Sequence, residues 1–336
     1  MRYANLSIVA FFVLAHLCFA AGKPKGGKVH LTQPILFGTP ESDKILASLQ
    51  IFPPDNPWNT DVSRWPLHPN SRNMIAGIGP GKPLHHNSDM NWVFVPPNQK
   101  RVPIRIVDYP GESDKGPFPI PDNLPIENWP AGYKADLDGA QRDVLHRGGD
   151  RHGIIIDPTR GLLVEFYQAL KTPTGWQCAQ ASVFDLKSNK LRPDGWTSAD
   201  AAGLPIFPGT VRFDELQRGM VEHAIRVTVR RSRKAYVYPA THHAGHGNDP
   251  NLPRMGERIR LRKDFPIQGY PPHVQAVLKG LKKYGMLVAD NGMDWFISVA
   301  PDSRIPQMNT AFATVKGSDF EVIIAPGKQT PSSQKN

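Results

Sequence analysis

Residues 154–167 read IIIDPTRGLLVEFY, and this stretch decides the fold class. An apolar β-branched run at 154–156 stops at the turn-like Pro158-Thr159-Arg160-Gly161. A second apolar run, LLVEFY at 162–167, follows at once. Short runs of this kind, bounded by proline and glycine, are strand signals. Working outward, the same signal recurs at 93–95, 102–107, 183–186, 224–229 (AIRVTV), 235–238 (AYVY) and 320–324. Residues 286–289 and 295–299 flank Asp290-Asn291-Gly292, which predicts a hairpin turning on Asn291-Gly292. One helix is clear. It starts near Pro271-Pro272 and places Val274, Val277, Leu278 and Leu281 at the i, i+3, i+4, i+7 spacing. Lys279, Lys282 and Lys283 complement its C-terminal dipole, and Gly285 supplies a left-handed stop. With 34 prolines and 29 glycines, long helices are disfavoured. The pattern predicts a mainly β protein: an antiparallel β-sandwich with long loops and one or a few short helices.

The ends carry a different message. Arg2, the apolar run 8–19 and the small residues around Cys18-Phe19-Ala20 form a secretory signal peptide over residues 1–21. Residues 22–30 read as a flexible leader, 31–326 as a single β-rich domain and 327–336 as a disordered tail. The expected location is secreted or periplasmic, with no membrane span in the mature protein. Cleavage leaves Cys178 as the lone thiol, so no intramolecular disulfide can form. Cys178, between strands in GWQCAQA, reads as a small buried residue. The formal charge of +10 falls to +9 once Arg2 leaves. Basic residues cluster at 230–234 and 258–263 and read as a solvated face. A basic exported protein suits an acidic polysaccharide, and no nucleic-acid motif accompanies the charge.

Several residues are candidates for chemistry. Asp200 lies among small neighbours after Ser198, which can cap a short turn through 199–202. Glu165 shares a strand face with Leu163 and Tyr167, a setting that raises a carboxyl pKa and suits a general acid. His223 shares a face with Ile225, Val227 and Val229, whereas Arg226 faces the other way. Asp150-Arg151-His152 precedes the buried run 154–156, which puts His152 at a sheet edge. His242, His243 and His246 are weak metal candidates: their glycine-rich setting opposes a helix, and no glutamate lies between them as in a zincin motif. His85-His86 and Asp89 could complete such a set in space. Trp58, Trp92 and Trp196 sit in loops, where aromatic rings are platforms for sugars. No phosphate loop, nucleophile elbow or paired-cysteine motif is present, and no cofactor is implied.

Three motifs carry a resemblance. Asn56-Pro57-Trp58-Asn59 with Asp61, SADAAGLP at 198–205, and Lys283-Tyr284-Gly285-Met286 with Ala289-Asp290-Asn291-Gly292 resemble a broadly distributed family of exported bacterial proteins. The resemblance spans roughly residues 51–324. It implies one exported domain and transfers neither an activity nor a catalytic residue.

The resulting expectation is a carbohydrate-active enzyme that cleaves glycosidic bonds of a polysaccharide. Hydrolysis would use Glu165 as proton donor with Asp200 or Asp290 as partner. Elimination from a uronate would use His223 or His243 as base and an arginine to neutralise the carboxylate. Trp58, Trp92, Trp196, Arg226 and His243 are the substrate-binding candidates. A non-catalytic glycan- or envelope-binding protein and a metal-dependent hydrolase are the alternatives.

Overall fold

The computed structural model describes residues 30–326. The expected signal peptide at 1–21, nearly all of the expected leader at 22–30, and the expected tail at 327–336 lie outside the described residues. The chain is mostly β, with few short helices and three mixed sheets. The first sheet has five strands in the order Ile35–Leu36, Val93–Phe94, Gly153–Asp157, Leu162–Tyr167 and Gln180–Asp185. The second has six, in the order Phe320–Ile323, Arg258–Leu261, Met286–Asn291, Ile225–Val229, Phe296–Val299 and His85–Ser88. A small third sheet joins Ile104–Ile106, Gly175–Cys178 and Leu170–Thr172.

Local signals set much of this. The stretch 154–167 forms an antiparallel pair with Ile155 opposite Val164. The turn between them closes through Asp157, whose carboxylate accepts the N–H groups of Thr159 and Arg160. The predicted helix runs Pro272–Lys283 and fully buries Val274, Val277, Leu278 and Leu281. Gly285 takes the left-handed conformation (φ +66°), where a Cβ would lie 2.5 Å from the Ile259 carbonyl. Lys282 and Lys283 occupy its last turn as expected.

Three expectations are corrected. The sheets are not antiparallel throughout: Ile225–Val229 pairs in parallel with Met286–Asn291, Phe296–Val299 with His85–Ser88, and Val93–Phe94 with Gly153–Asp157. The hairpin on Asn291-Gly292 does not form. Its two strands flank Ile225–Val229 from opposite sides: that strand occupies the place between them and pairs in parallel with 286–291 and antiparallel with 296–299. Residues 235–238 make only an isolated bridge from Tyr236 to Met255 instead of a strand. Helices Pro40–Ser48, Ser71–Ile78, Leu137–Arg142, Phe213–Arg218 and Asn309–Phe312 add to the one read from the sequence.

The two larger sheets contribute to one apolar core. Phe94, Ile156 and Leu163 of the first sheet belong to the same buried cluster as Val227, Leu287 and Ile297 of the second. Cys178 is fully buried in a second cluster with Phe118 and Phe166, as expected of an inert thiol. Burial pushes its pKa up to about 12. No helix among the described residues is long and apolar enough to cross a membrane.

Candidate functional site

Arg226 is the centre of the site. Strand alternation turns it away from Ile225 and Val227, towards the segments that lie over the second sheet. Its Nε and Nη2 donate to the two carboxylate oxygens of Asp200 at 2.6 and 2.7 Å, a fork-to-fork pair. Its Nη1 donates to Ser298 Oγ at 3.0 Å. Nη2 also lies 3.5 Å from Asp290 Oδ2, so the two aspartates share one guanidinium nitrogen. Arg226 is almost fully buried, and its neighbouring carboxylates outweigh that burial and hold its pKa above the usual arginine value.

The motifs of the resemblance meet here. In SADAAGLP, Ser198 Oγ donates to the Leu204 carbonyl and accepts from the Asp200 N–H, which fixes the Asp200 backbone. This is the short turn expected of Ser198. The Asn56 side chain accepts from the Trp58 N–H, and Asn59 Nδ2 donates to the carbonyls of Ile51 and Pro53. That knot seats Trp58 beside Arg226. A Cβ on Gly209 would fall 2.6 Å from the Trp58 ring and 2.9 Å from Arg226 Cβ, so only glycine permits the approach. Asp290 is the penultimate residue of the strand Met286–Asn291, opposite Thr228.

A second charged pair completes the cluster. His152 Nδ1 and Glu127 Oε2 are 2.9 Å apart, and His152 Nε2 lies 3.0 Å from the Ala199 carbonyl. Burial lowers the His152 pKa, but the Glu127 charge and hydrogen bond outweigh it and hold His152 up to about 9. Burial likewise raises Glu127, and His152 more than reverses this and keeps it below the usual range. Asp89 is pushed up to about 7 by burial and then by the Glu127 charge. Its Oδ1 is buried without a partner. Asp290 is also pushed up to about 7, by burial and then by Asp200. It keeps 21 % of its side chain open to solvent. Tyr167 lines the same region: its hydroxyl pKa is raised by burial and by the charges of Asp150 and Asp290.

Of the candidates, Asp200, Arg226, Asp290 and His152 come together. Glu165 lies close enough to feel Asp200 and His152, but its carboxylate accepts the N–H groups of Ile206 and Phe207 and is wholly buried. Burial pushes it up to about 7, against the pull of those N–H groups. It anchors the turn at 206–209 and cannot reach a substrate as proton donor. His223 is also corrected. It is bound to Glu215 at 3.0 Å and to the Ala224 carbonyl, in a buried pair with Arg212. Trp58 and Trp92 are 3 % and 2 % exposed and present no ring face to solvent. Trp196 is half-buried beneath the Arg192 guanidinium. His243 stacks on His242, outside the cluster.

Glu127 and Asp89 are the residues that sequence reasoning missed in this role. Glu127 lies in the loosest stretch, 108–146, which has no periodicity to place it. It is held by an isolated bridge from Ile126 to Gly153 and by its own N–H donating to the His152 carbonyl. Asn91 pins the loop from the other side through the carbonyls of Ile126 and Trp129.

Among the described residues, one trio has ligand atoms close enough for a metal ion: Glu127, Asp150 and His152. His242, His243 and His246 form no such group among the described residues. The trio fits an ion pair better than a metal centre. Both His152 ring nitrogens already face acceptors, so the imidazolium has no lone pair to offer.

A cavity of about 1210 Å³ lies beside the cluster and does not include it. Its lining includes Trp65, Tyr236, Tyr238, Arg254 and Arg258. Arg258 and Arg226 both stand opposite Leu287, on either side of it, so they share a sheet face roughly 10 Å apart. Chemistry is better placed at the cluster, where the perturbed acids are, and the cavity is suited to binding.

Comparison of the chain with known protein families, with characterised proteins and with solved structures finds no match in any of the three.

Proposed function

We propose that this protein is an exported carbohydrate-active enzyme that hydrolyses glycosidic bonds of a polysaccharide, with Asp290 as proton donor. We take the two larger sheets, which share one core, as the layers of a sandwich-like frame. One observation carries the reading: Asp290 sits at the mouth of a buried charge cluster, still partly open, with its pKa pushed up to about 7. A carboxyl group that stays protonated near neutral pH can hand its proton to a leaving oxygen. Glycoside hydrolysis needs a second, ionised carboxylate. Glu127 fits that role, because His152 keeps it charged. Asp200 is a positioning residue: both its oxygens are taken by Arg226, which in turn sets Asp290. The same pairing disfavours elimination at this site. Arg226 is already neutralised by Asp200 and is not free to neutralise a uronate.

The test is release of reducing ends from neutral and acidic glycans by the full chain. Asp290→Asn is expected to lower the rate by about 10²–10⁴-fold with an unchanged melting temperature. Wild-type protein inert on every glycan, or a fully active Asp290→Asn, would sink the reading. The separate cavity favours a second reading, a non-catalytic glycan-binding protein. That reading expects binding without turnover, unaffected by Asp290→Asn.

A further inference from the structure

Six arginines are buried among the described residues: Arg151, Arg192, Arg212, Arg226, Arg258 and Arg260. Five are ion-paired, with Asp143, Asp114, Glu215, Asp200 and Glu321 respectively. Arg258 alone has no carboxylate in contact among the described residues. Its Nη1 donates to the Tyr284 carbonyl at 2.8 Å and its Nη2 to the Pro57 carbonyl at 2.6 Å. Its Nε is buried with no acceptor. The guanidinium lies 5.9 Å from the Trp65 ring centre. Burial pulls its pKa down to about 9, so it remains charged at neutral pH. A buried cation without a counter-charge is costly, and a carboxylate would supply both that charge and an acceptor for the unpartnered Nε.

We propose that the cavity beside Arg258 is a subsite for the carboxylate of a uronic-acid residue in the glycan chain. The proposal rests on the polysaccharide reading above and adds the substrate class. Arg258 supplies the charge, and the half-buried Trp65 and the exposed Tyr238 supply apolar surface for sugar C–H faces. Arg254, on the same wall, is tied to Glu257 at 2.9 and 3.0 Å and adds no net charge. Asp55 and Asp194 also line the cavity, where they accept from Asn189 and Tyr236; with acids on the same wall, the one uncompensated guanidinium suits a monoanion better than a phosphate dianion. A volume of about 1210 Å³ accommodates more than one sugar ring. Arg258 is also only two strands from Arg226, so one chain can reach both regions.

The test is calorimetric binding to the full-length Asp290→Asn protein, whose cavity is unaltered. The ligands are a galacturonate oligosaccharide, its carboxyl-reduced neutral counterpart, and inorganic phosphate. The galacturonate oligomer is expected to bind at least about tenfold more tightly than either of the others, and Arg258→Met in the same background to lose about tenfold. No galacturonate binding, equal binding of the neutral oligomer, equal binding of phosphate, or undiminished binding by a folded Arg258→Met protein would each overturn the subsite. If Arg258→Met does not fold, the neutral oligomer decides the question on protein that retains Arg258. The two readings fail separately. Galacturonate binding with no turnover of any glycan by wild type defeats the hydrolase and leaves the subsite. Turnover indifferent to uronate content defeats the subsite and leaves the hydrolase.

Discussion

Arg226 and Arg258 stand on one sheet face, separated by Leu287, and the chain treats them in opposite ways. Arg226 receives a bidentate carboxylate, a second aspartate and a hydroxyl. Arg258 receives two backbone carbonyls and an aromatic ring. The first arrangement is self-sufficient: charge is balanced inside the protein, and the surplus field acts on Asp290. The second leaves a cation against a cavity. A buried charge that is fully paired organises a site, whereas one left unpaired beside open space invites a ligand.

The comparison can be broken most forcefully at Asp200. Asp200→Asn removes the counter-charge of Arg226 and is expected to cost about 3–5 kcal/mol, measured by urea unfolding. A loss below about 1 kcal/mol would mean that Arg226 is not organised by this pair.

A smaller effect is expected from pH. His152 titrates at about 9 in the folded protein against an ordinary value of 6.5. Its pair with Glu127 therefore contributes stability that is complete below pH 6.5 and lost as pH rises to about 9. Asp89 and Asp290 have folded values of about 7 against 3.8, so their part of the decline is largely finished by pH 7. The fall between pH 7 and 9 should belong to His152 and should flatten in Glu127→Gln. Thermal melting across that interval checks this, and an unchanged slope in the variant would remove the pair from the account.

Arg258→Met sharpens the comparison from the other side. Without ligand, it is expected to cost about 1–2 kcal/mol, because relief of an uncompensated buried cation offsets part of the loss of its two carbonyl hydrogen bonds. A loss as large as that of Asp200→Asn would give Arg258 the same structural role as Arg226. The smallest expected effect is at Cys178: native protein should react with a thiol reagent at a negligible rate, and denatured protein should react promptly. Rapid native reaction would contradict its burial.

The sequence was most legible where structure is local. LLVEFY is a strand over Leu162–Tyr167, and the helix from Pro272 stops at Gly285 as its spacing and terminal lysines predict. Asn291-Gly292 misled, because a local turn signal cannot register that Ile225–Val229 inserts between the two strands it would join. The site divides along the same line. Asp200, Asp290, Arg226 and His152 lie in motifs or at strand edges that a sequence exposes. Glu127 reaches His152 only through a bridge from an irregular loop, a long-range contact with no periodic trace. Glu165 and His223 were plausible by strand face, but a face fixes direction and leaves open whether a carboxylate meets solvent or backbone N–H groups. Arg258 looked like one of a run of solvated charges, and nothing local distinguishes its buried guanidinium from its exposed neighbour Arg262.

The central claim is that Asp290 is a proton donor set by the Arg226–Asp200 pair. The most direct test is the pH dependence of reducing-end release by the full chain on a glycan it cleaves. The rate should fall as pH rises through about 7, where Asp290 ionises, and almost no rate should remain in Asp290→Asn. A rate that is flat or rising through that interval, with Asp290→Asn still active, would contradict the account.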